Sequence, residues 1–391
     1  MKFQLTKGHN IQIAGVPKRE IVSSGNLEKV ALKPSEFRGI KPKLLVKKGE
    51  SVKTGQPLFF DKKNPDVSFA SPGCGAVSAI NYGPKRIINS IEITLKGNES
   101  IQHESVRSHE IYSLDRGAII SKILAGGLWP VIKQRPFNAI ADPKATPRAI
   151  FISGYNSAPL TVDLDLALSE QTGPFQTGLN VLRRMTDGYV HLTVPEGTVS
   201  ETLVNAEGVR IHYVKGPHPA GNVGIQIHHI DPLNPGETIW TISAQHVVTL
   251  GSFFTTGKYD PSMVISIGGP AVKNPTHING RTGMQISDLV MDRLHDGDSR
   301  IVSGDVLTGT KIEPLEFIGY YDSSVSVIPN SDDREFLGLL RMGNSHSRYS
   351  LTNAFCSSNT EGYHFSTKAS GALRPMVPID TWENVLPMDI Y

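Results

Sequence analysis

The sequence predicts a multidomain α/β protein, and three observations support that fold class. The chain has 391 residues, which at roughly 150 residues per domain predicts two to four domains. Residues 41 to 95 form short alternating runs separated by glycine and proline turns, a pattern typical of a small all-β unit. Residues 148 to 214 instead alternate apolar runs with helical periodicity, which indicates a parallel sheet with crossover helices.

Composition excludes several classes of function. Lys plus Arg number 39 against 37 Asp plus Glu, and a net charge of +2 does not favour nucleic acid as a partner. Two distant cysteines, Cys74 and Cys356, cannot supply the four thiolates of an iron–sulfur cluster, and they suit a reducing compartment. The sequence shows neither a signal peptide nor an apolar run of about 20 residues. We therefore expect any membrane association to go through partners.

The chain divides into five predicted segments. Met1 to Gly15 alternates polar and apolar residues, so the first segment is expected to contain a strand. The segments are an N-terminal strand segment (1–25), a β domain (26–100), a Rossmann-like α/β domain (101–260), a small α+β domain (261–330) and a C-terminal segment (331–391).

The β domain resembles the barrel-sandwich hybrid of lipoyl and biotinyl carrier domains. The runs V-K-K-G-E-S-V-K-T-G-Q-P-L and S-P-G-C-G-A-V support this resemblance. In those carriers one lysine at a hairpin tip is modified, and Lys62 or Lys63 occupies a comparable place. Pro65 follows closely, and the D-K-A and M-K-M tips of the carriers are absent. A rigid docking module is therefore preferred over a swinging prosthetic arm.

The α/β domain is predicted from five elements. They are a strand at Ala149 to Ser153, a helix with Phe175, Leu179, Leu182 and Met185 on one face, a strand at Tyr189 to Val194, a short helix at Ser200 to Glu207 and a strand at Val209 to Val214. The turn S-G-Y-N-S-A-P after the first strand has one glycine where a dinucleotide fingerprint needs three. NAD binding does not follow from the topology. From Tyr259, a strand, short helix and strand predict the α+β domain.

Two candidate sites are rejected on spacing. Thr255-Thr256-Gly257-Lys258 lacks the glycine spacing and the following hydroxyl of a phosphate loop. Six histidines lie between His191 and His246, with Asp231 nearby. His228 and His229 are adjacent on a predicted strand and would point to opposite faces, so hydrogen-bonded structural histidines are preferred over a metal site.

A third candidate is aromatic and basic. Gly126-Gly127-Leu128-Trp129-Pro130 could cradle a flavin phosphate, but Trp129 is bulky and Pro130 lacks a donor. Trp129, Arg135 and Phe137 could instead stack on a quinone ring and donate hydrogen bonds to its carbonyl oxygens. The alternative is that Trp129 belongs to the core.

The motifs together resemble one family, the A subunits of the Na(+)-translocating NADH-quinone reductase, the respiratory sodium pump. The resemblance covers nearly the whole chain. Its motifs are K-P-K-L-L-V-K-K-G, G-Q-P-L-F-F-D-K-K-N-P, G-L-W-P-V-I-K-Q-R-P-F, G-P-H-P-A-G-N-V-G, F-T-T-G, I-V-S-G-D-V-L-T-G, M-V-P-I and V-L-P-M-D-I.

This resemblance implies a barrel-sandwich hybrid domain, an α/β domain similar to the flavin subunit of respiratory complex I, and a small SLBB-type β-grasp domain. It implies a peripheral subunit on the cytoplasmic side of the bacterial inner membrane that carries no flavin, iron–sulfur cluster or metal of its own. Ubiquinone or menaquinone is the implied ligand, with the turn around His218 joining Trp129, Arg135 and Phe137 as contacts. The other subunits, including membrane subunits, are the implied partners and bring the flavins and iron. Members of the family continue beyond V-L-P-M-D-I, whereas this sequence stops at Tyr391, which predicts a shortened C-terminal segment.

Overall fold

A computed structural model describes residues 1–331 and 362–368. The described strands are β1 (Lys2–Gln4), β2 (Ile21–Ser23), β3 (Lys29–Leu32), β4 (Pro42–Leu44), β5 (Ser51–Val52), β6 (Pro57–Asp61), β7 (Asn64–Ala70), β8 (Gly75–Tyr82), β9 (Ile88–Leu95), β10 (Lys133–Arg135), β11 (Ala139–Ile140), β12 (Ala149–Ser153), β13 (Val190–Pro195), β14 (Arg210–Lys215), β15 (Ile239–Ser243), β16 (Ser262–Gly268), β17 (Thr276–Arg281), β18 (Ser299–Ser303), β19 (Thr310–Ile312) and β20 (Ser324–Pro329). The helices are α1 (Arg116–Ala125), α2 (Leu164–Ala167), α3 (Thr172–Arg183), α4 (Glu201–Val204), α5 (Val223–Ile230), α6 (Ala244–Thr256) and α7 (Ile286–Val290).

The amino-terminal domain is all β, as the turn spacing predicts. A three-stranded sheet, β4-β6-β7, faces a four-stranded sheet, β3-β9-β8-β5. Phe59 and Phe69 stack in its core with ring centroids 4.2 Å apart, and Phe37 packs 4.5 Å from Phe69. Lys62 and Lys63 form the turn between β6 and β7, which is the hairpin-tip position expected from the carrier resemblance.

The middle domain contains a seven-stranded sheet in the order β1-β14-β13-β12-β15-β10-β11. Strands β1, β14, β13, β12 and β15 run parallel, and β10 is antiparallel to β15 and β11. The strands and helices predicted between residues 149 and 214 are confirmed. The four predicted residues of the helix face, from Phe175 to Met185, are all buried, and three of them lie in α3, which packs extensively on α6.

The third domain has more strands than its sequence predicts. Its sheet has the order β19-β18-β20-β16-β17-β2 and its own apolar core, which includes Ile265, Ile278 and Val325. Strand β2 comes from the amino-terminal segment and pairs in parallel with β17, while β1 pairs with β14. The segment 1–25 therefore links the sheets of the middle and third domains, because β1 extends the first of these and β2 extends the second.

One local prediction was wrong. His228 and His229 lie in helix α5, not on a strand. The β-branched residues Ile225, Ile227 and Ile230 favour a strand locally, but the helix buries them on two sides, against the core around Leu5 and against the sheet around Phe151. In the described ranges no helix is long and apolar enough to cross a membrane.

The C-terminal segment is described only at Ser331 and at residues 362–368, where Tyr363 forms an isolated bridge with Ile13. The predictions made for the rest of residues 331–391 lie outside the described residues.

Candidate functional site

The candidate site is a crevice at the carboxyl ends of β12 and β15. The chain passes from β12 to β13 and β14 on one side, whereas β15 lies on the other side of β12, so the strand order reverses between β12 and β15. Open α/β sheets bind ligands at this reversal. A cavity of about 180 Å³ lies here, lined in part by Ser153 and Ser243, the last residues of the two strands.

Two cations from β10 lie along one wall of the cavity. Lys133 pairs with Thr241 and Arg135 pairs with Ile239 on β15, and their spacing of two residues places both side chains on the same face of the strand. Burial and then the neighbouring Arg135 guanidinium lower the pKa of Lys133 from 10.5 to about 8. Burial also lowers the pKa of Arg135. The crevice therefore concentrates positive charge in a poorly solvated place.

Two polar atoms of the cavity wall have no hydrogen-bond partner among the described residues. They are Nε of Arg135, a donor, and Oδ1 of Asn138, an acceptor, and both are buried. Most buried polar atoms in folded proteins are paired with protein or water. The residues that line the cavity thus include one donor and one acceptor without a partner among the described side chains.

The remaining polar wall comes from α6 and from the third domain. The Ser243 side chain caps α6, and its Oγ lies 2.9 Å from Nδ1 of His246. Burial and then Lys133 lower the pKa of His246 to about 4, so the imidazole is neutral at pH 7. Tyr321, between β19 and β20, donates its hydroxyl to the Pro130 carbonyl at 2.8 Å. Its ring centroid lies 3.4 Å from Nζ of Lys133, so the ring holds the ammonium in place.

The structure places Trp129 in the core. The side chain is 0% exposed, and its indole N–H donates to the Ala141 carbonyl at 2.7 Å. Trp240 meets it edge-on with ring centroids 5.5 Å apart. Trp129 thus supports the wall of the cavity from behind and presents no open face to a ligand.

The other three predicted contacts are not brought together in one cavity. Arg135 lines the cavity. Phe137 is 73% exposed in the turn between β10 and β11, beside the cavity residue Asn138. His218 follows β14 at the carboxyl edge of the parallel strands, where its Nδ1 lies 3.0 Å from Oγ of Ser157. His218 does not line the cavity.

The glycine pair before Trp129 is explained by packing. A Cβ on Gly126 would lie 2.4 Å from the Phe253 ring, and one on Gly127 would lie 2.9 Å from the Ala70 backbone nitrogen. Gly127 also has a φ of +64°, which favours glycine. These residues let α1, α6 and the β domain approach closely, and the missing side chains leave no open cradle.

Three of the buried histidines make hydrogen bonds within the protein, although Nε2 of His191 and Nδ1 of His212 are buried without a partner among the described residues. Nδ1 of His191 lies 2.9 Å from Nε2 of His212, and burial lowers the pKa of each to about 4. His277 accepts the Asp163 N–H at 3.0 Å. Within residues 1–331 and 362–368 no group of three His, Cys, Asp or Glu could hold a metal ion.

Sequence reasoning missed Lys133, His246 and Tyr321. The segment V-I-K-Q-R carries a signal, since two cations at alternate positions directly after an apolar run share one face of a strand. No comparable signal joins His246 and Tyr321, which are 75 positions apart and come from different domains.

Matches to three domain families define the class of protein, which is a subunit built from a barrel-sandwich hybrid, an α/β domain and an SLBB domain. The model "NqrA N-terminal barrel-sandwich hybrid domain" matches residues 3–96, "NqrA second alpha/beta domain" matches residues 114–259, and "NQRA C-terminal domain", the SLBB model, matches residues 264–313. The three predicted kinds of domain, a barrel-sandwich hybrid, an α/β domain and an SLBB domain, are confirmed. The chain belongs to the NqrA family, the A subunits of the Na(+)-translocating NADH-quinone reductase.

Curated relatives support this assignment over nearly the whole chain. The A subunit of the Na(+)-translocating NADH-quinone reductase from Serratia proteamaculans is 37% identical, covering 99% of this chain and 87% of the relative. Its counterparts from Pasteurella multocida and Pseudomonas aeruginosa are each 36% identical, covering 99% of this chain and 86% and 87% of theirs.

Among solved structures, the chain is similar to an NAD+-reducing [NiFe]-hydrogenase, with a TM-score of 0.41 and 14% identity over 60% of this chain and 52% of that one. Similarity at this level supports no conclusion about fold or ligand. The expected likeness to the flavin subunit of respiratory complex I stays a prediction.

Proposed function

We propose that this chain is a peripheral subunit of a Na(+)-translocating NADH-quinone reductase complex and that it binds quinone in the crevice between β12 and β15. The observation that carries the quinone proposal is an unpaired donor on Arg135 and an unpaired acceptor on Asn138, two residues that line the same cavity. A quinone carbonyl oxygen accepts a hydrogen bond from Nε of Arg135. The hydroxyl group of the reduced quinone donates a hydrogen bond to Oδ1 of Asn138. The pair thus fits both redox forms of one ligand.

The rest of the crevice suits a flat ring with polar edges. Val131, Val223 and Ile242 supply apolar wall, against which a ring is sheltered from water. The Lys133 ammonium and the Arg135 guanidinium stabilise the negative charge that develops on the ring oxygens during reduction, and they do so more strongly because they are poorly solvated.

Electron transfer from NADH is assigned to the rest of the complex. We place the flavins and iron centres on other subunits, including membrane subunits, and expect the isolated chain to catalyse nothing. In this proposal the protein lies on the cytoplasmic side of the bacterial inner membrane, and ubiquinone or menaquinone is the ligand. Family membership supports the complex and its redox reaction.

A quinone titration tests the proposal. A water-soluble short-chain ubiquinone is added to the purified chain while tryptophan fluorescence is followed, beside a matching titration with FMN. Saturable quinone binding is expected, weakened about 10-fold or more in Arg135→Gln because a charged hydrogen bond is lost. Arg107→Gln removes an exposed guanidinium elsewhere and should leave the affinity unchanged. Absence of saturation up to the quinone's solubility would exclude binding by this chain.

One observation favours a second function, a structural adaptor without a ligand site. The cavity of about 180 Å³ is smaller than the roughly 300 Å³ at which ligand pockets usually begin. An adaptor predicts that Arg135→Gln alters assembly of the complex and leaves the quinone affinity of the assembled enzyme unchanged. A flavin- or NADH-binding input subunit is the third alternative, and saturable uptake of FMN in the matching titration would favour it.

A further inference from the structure

The amino-terminal domain carries a group of exposed cations that the quinone proposal does not use. We call it the lysine face, and it consists of Arg38, Lys41, Lys43, Lys62 and Lys63. Two hydrogen bonds join the segment around Lys41 to the turn at Lys62 and Lys63. The Lys62 N–H donates to the Lys41 carbonyl at 2.8 Å, and the Lys63 ammonium donates to the Gly39 carbonyl. Lys43 lies on β4, directly opposite Phe60.

The charges of the lysine face are not neutralised locally. In the described part of the chain, none of its five cations forms an ion pair with a carboxylate. Two acids share the hairpin. Asp61 is only 8% exposed, and its Oδ1 accepts the backbone N–H groups of Lys41 and Lys63 at 2.7 and 3.0 Å. Asp66 is the exposed acid. A chain with a net charge of +2 thus concentrates positive charge on one face.

The lysine face adjoins the mouth of the crevice. Nη1 of Arg38 donates to the Phe137 carbonyl at 3.3 Å, and the Phe137 ring is 73% exposed. The next residue, Asn138, lines the cavity. An exposed aromatic ring beside basic side chains is the combination that settles at a membrane interface.

In contrast to the expectation that membrane association goes only through partners, we infer that the lysine face binds anionic phospholipid headgroups directly and so turns the mouth of the crevice toward the bilayer, where lipid-soluble quinone resides. This deepens the proposed function and rests on it for the role of the crevice. Four of the five cations are lysines, which act as flexible point charges, whereas a specific carboxylate partner favours the planar fork of arginine. The exposed phenyl ring likewise fits an acyl boundary better than an acidic peptide.

Binding of the purified chain to lipid vesicles tests the inference. The vesicles are phosphatidylcholine alone or with about 30 mol% phosphatidylglycerol, and bound protein is measured by flotation at about 0.1 M and about 0.5 M salt. The test variant is Lys41→Gln/Lys62→Gln/Lys63→Gln. The matched control, Lys144→Gln/Lys258→Gln/Lys273→Gln, removes the same charge from exposed positions elsewhere. A third variant, Lys41→Arg/Lys62→Arg/Lys63→Arg, keeps the charge.

The expected result is binding to anionic vesicles that is lost at high salt and absent with phosphatidylcholine alone. At about 5-fold per lysine, the test variant should bind about 100-fold more weakly, while the control and arginine variants bind as the wild type does. Equal binding to both kinds of vesicle, or equal losses in the test and control variants, would overturn the inference. The vesicles contain no quinone, so this outcome is independent of the quinone titration.

Discussion

Replacing Lys133 by methionine is expected to stabilise the protein at pH 7. Burial and the neighbouring Arg135 lower the pKa of Lys133 from 10.5 to about 8, although Asp322 and Glu36 offset part of the effect. Each pKa unit corresponds to about 1.36 kcal/mol, so keeping this ammonium charged in the folded protein costs about 3 kcal/mol. Methionine has a similar length and no charge. Because the lysine retains some solvent contact, we expect a gain of about 2 kcal/mol.

The gain should depend on pH in a defined direction. In the unfolded chain Lys133 titrates near its ordinary value of 10.5, so between pH 8 and pH 10.5 the unfolded state binds more protons than the folded state. Wild-type stability therefore gains from this residue as pH rises through that window, and the variant has no such gain. The advantage of Lys133→Met is largest below pH 8 and disappears by about pH 10.5.

Urea unfolding followed by tryptophan fluorescence measures this difference at about pH 7 and about pH 10. Lys273→Met, at an exposed lysine, is the control and should change stability by less than about 0.5 kcal/mol. The assignment of a buried charge would be refuted if the Lys133→Met variant were less stable than the wild type at pH 7. It would also be refuted if the stability advantage of the variant were the same at both pH values. The same variant should bind quinone more weakly, because stability and function are opposed at this residue.

Four other contacts of the structure each give a testable prediction. Trp129→Phe loses the hydrogen bond to Ala141 and should lower the free energy of urea unfolding by about 2 kcal/mol without changing quinone affinity; a weaker affinity at unchanged stability would contradict its place in the core. Arg148→Leu leaves Asp231 and Glu237, now 2.7 and 3.0 Å from the guanidinium, without their cation, and unfolding should be easier by about 2 kcal/mol. Gly283→Ala places a methyl group 2.1 Å from the Ala31 carbonyl at a φ of +68°, so limited proteolysis should be faster between the first and third domains, and unchanged cleavage would speak against that contact. His191 and His212 have pKa values near 4 in the folded chain, below the ordinary 6.5, so the unfolded state binds more protons between pH 6.5 and 4 and acid should destabilise the wild type more than His191→Gln/His212→Gln.

Local sequence patterns predicted several elements of the α/β domain. Strand β12 was found as a continuous apolar run, β13 by alternation of apolar and polar residues, and helix α3 because its apolar residues repeat every three to four positions. Helix α5 was missed because its isoleucines favour a strand locally, and only packing on both Leu5 and Phe151 makes it a helix. Pairing of β2 with β17 joins residues more than 250 positions apart, and no local pattern encodes that contact.

The candidate site was predicted only in part, for the same reason. Arg135 was found through its aromatic and basic neighbours. Trp129 was proposed on residue type, but its 0% exposure depends on Trp240 and Ala141, which reach it through tertiary contacts. Tyr321 joins the cavity from another domain. Residue type thus indicated the chemistry of the crevice, whereas the fold determined which side chains line it.

Photolabelling with an azidoquinone tests the central claim most directly, since it reports where quinone binds and not only whether it binds. Light-activated label on the purified chain, mapped by peptide mass spectrometry, is expected in the segments around Lys133 to Asn138, Ser243 to His246 and Tyr321, and excess unlabelled ubiquinone should suppress it. Arg135→Gln should lower the labelling of all three segments together. Saturable labelling confined to the turn around His218, or label that excess ubiquinone fails to displace, would contradict quinone binding in the crevice.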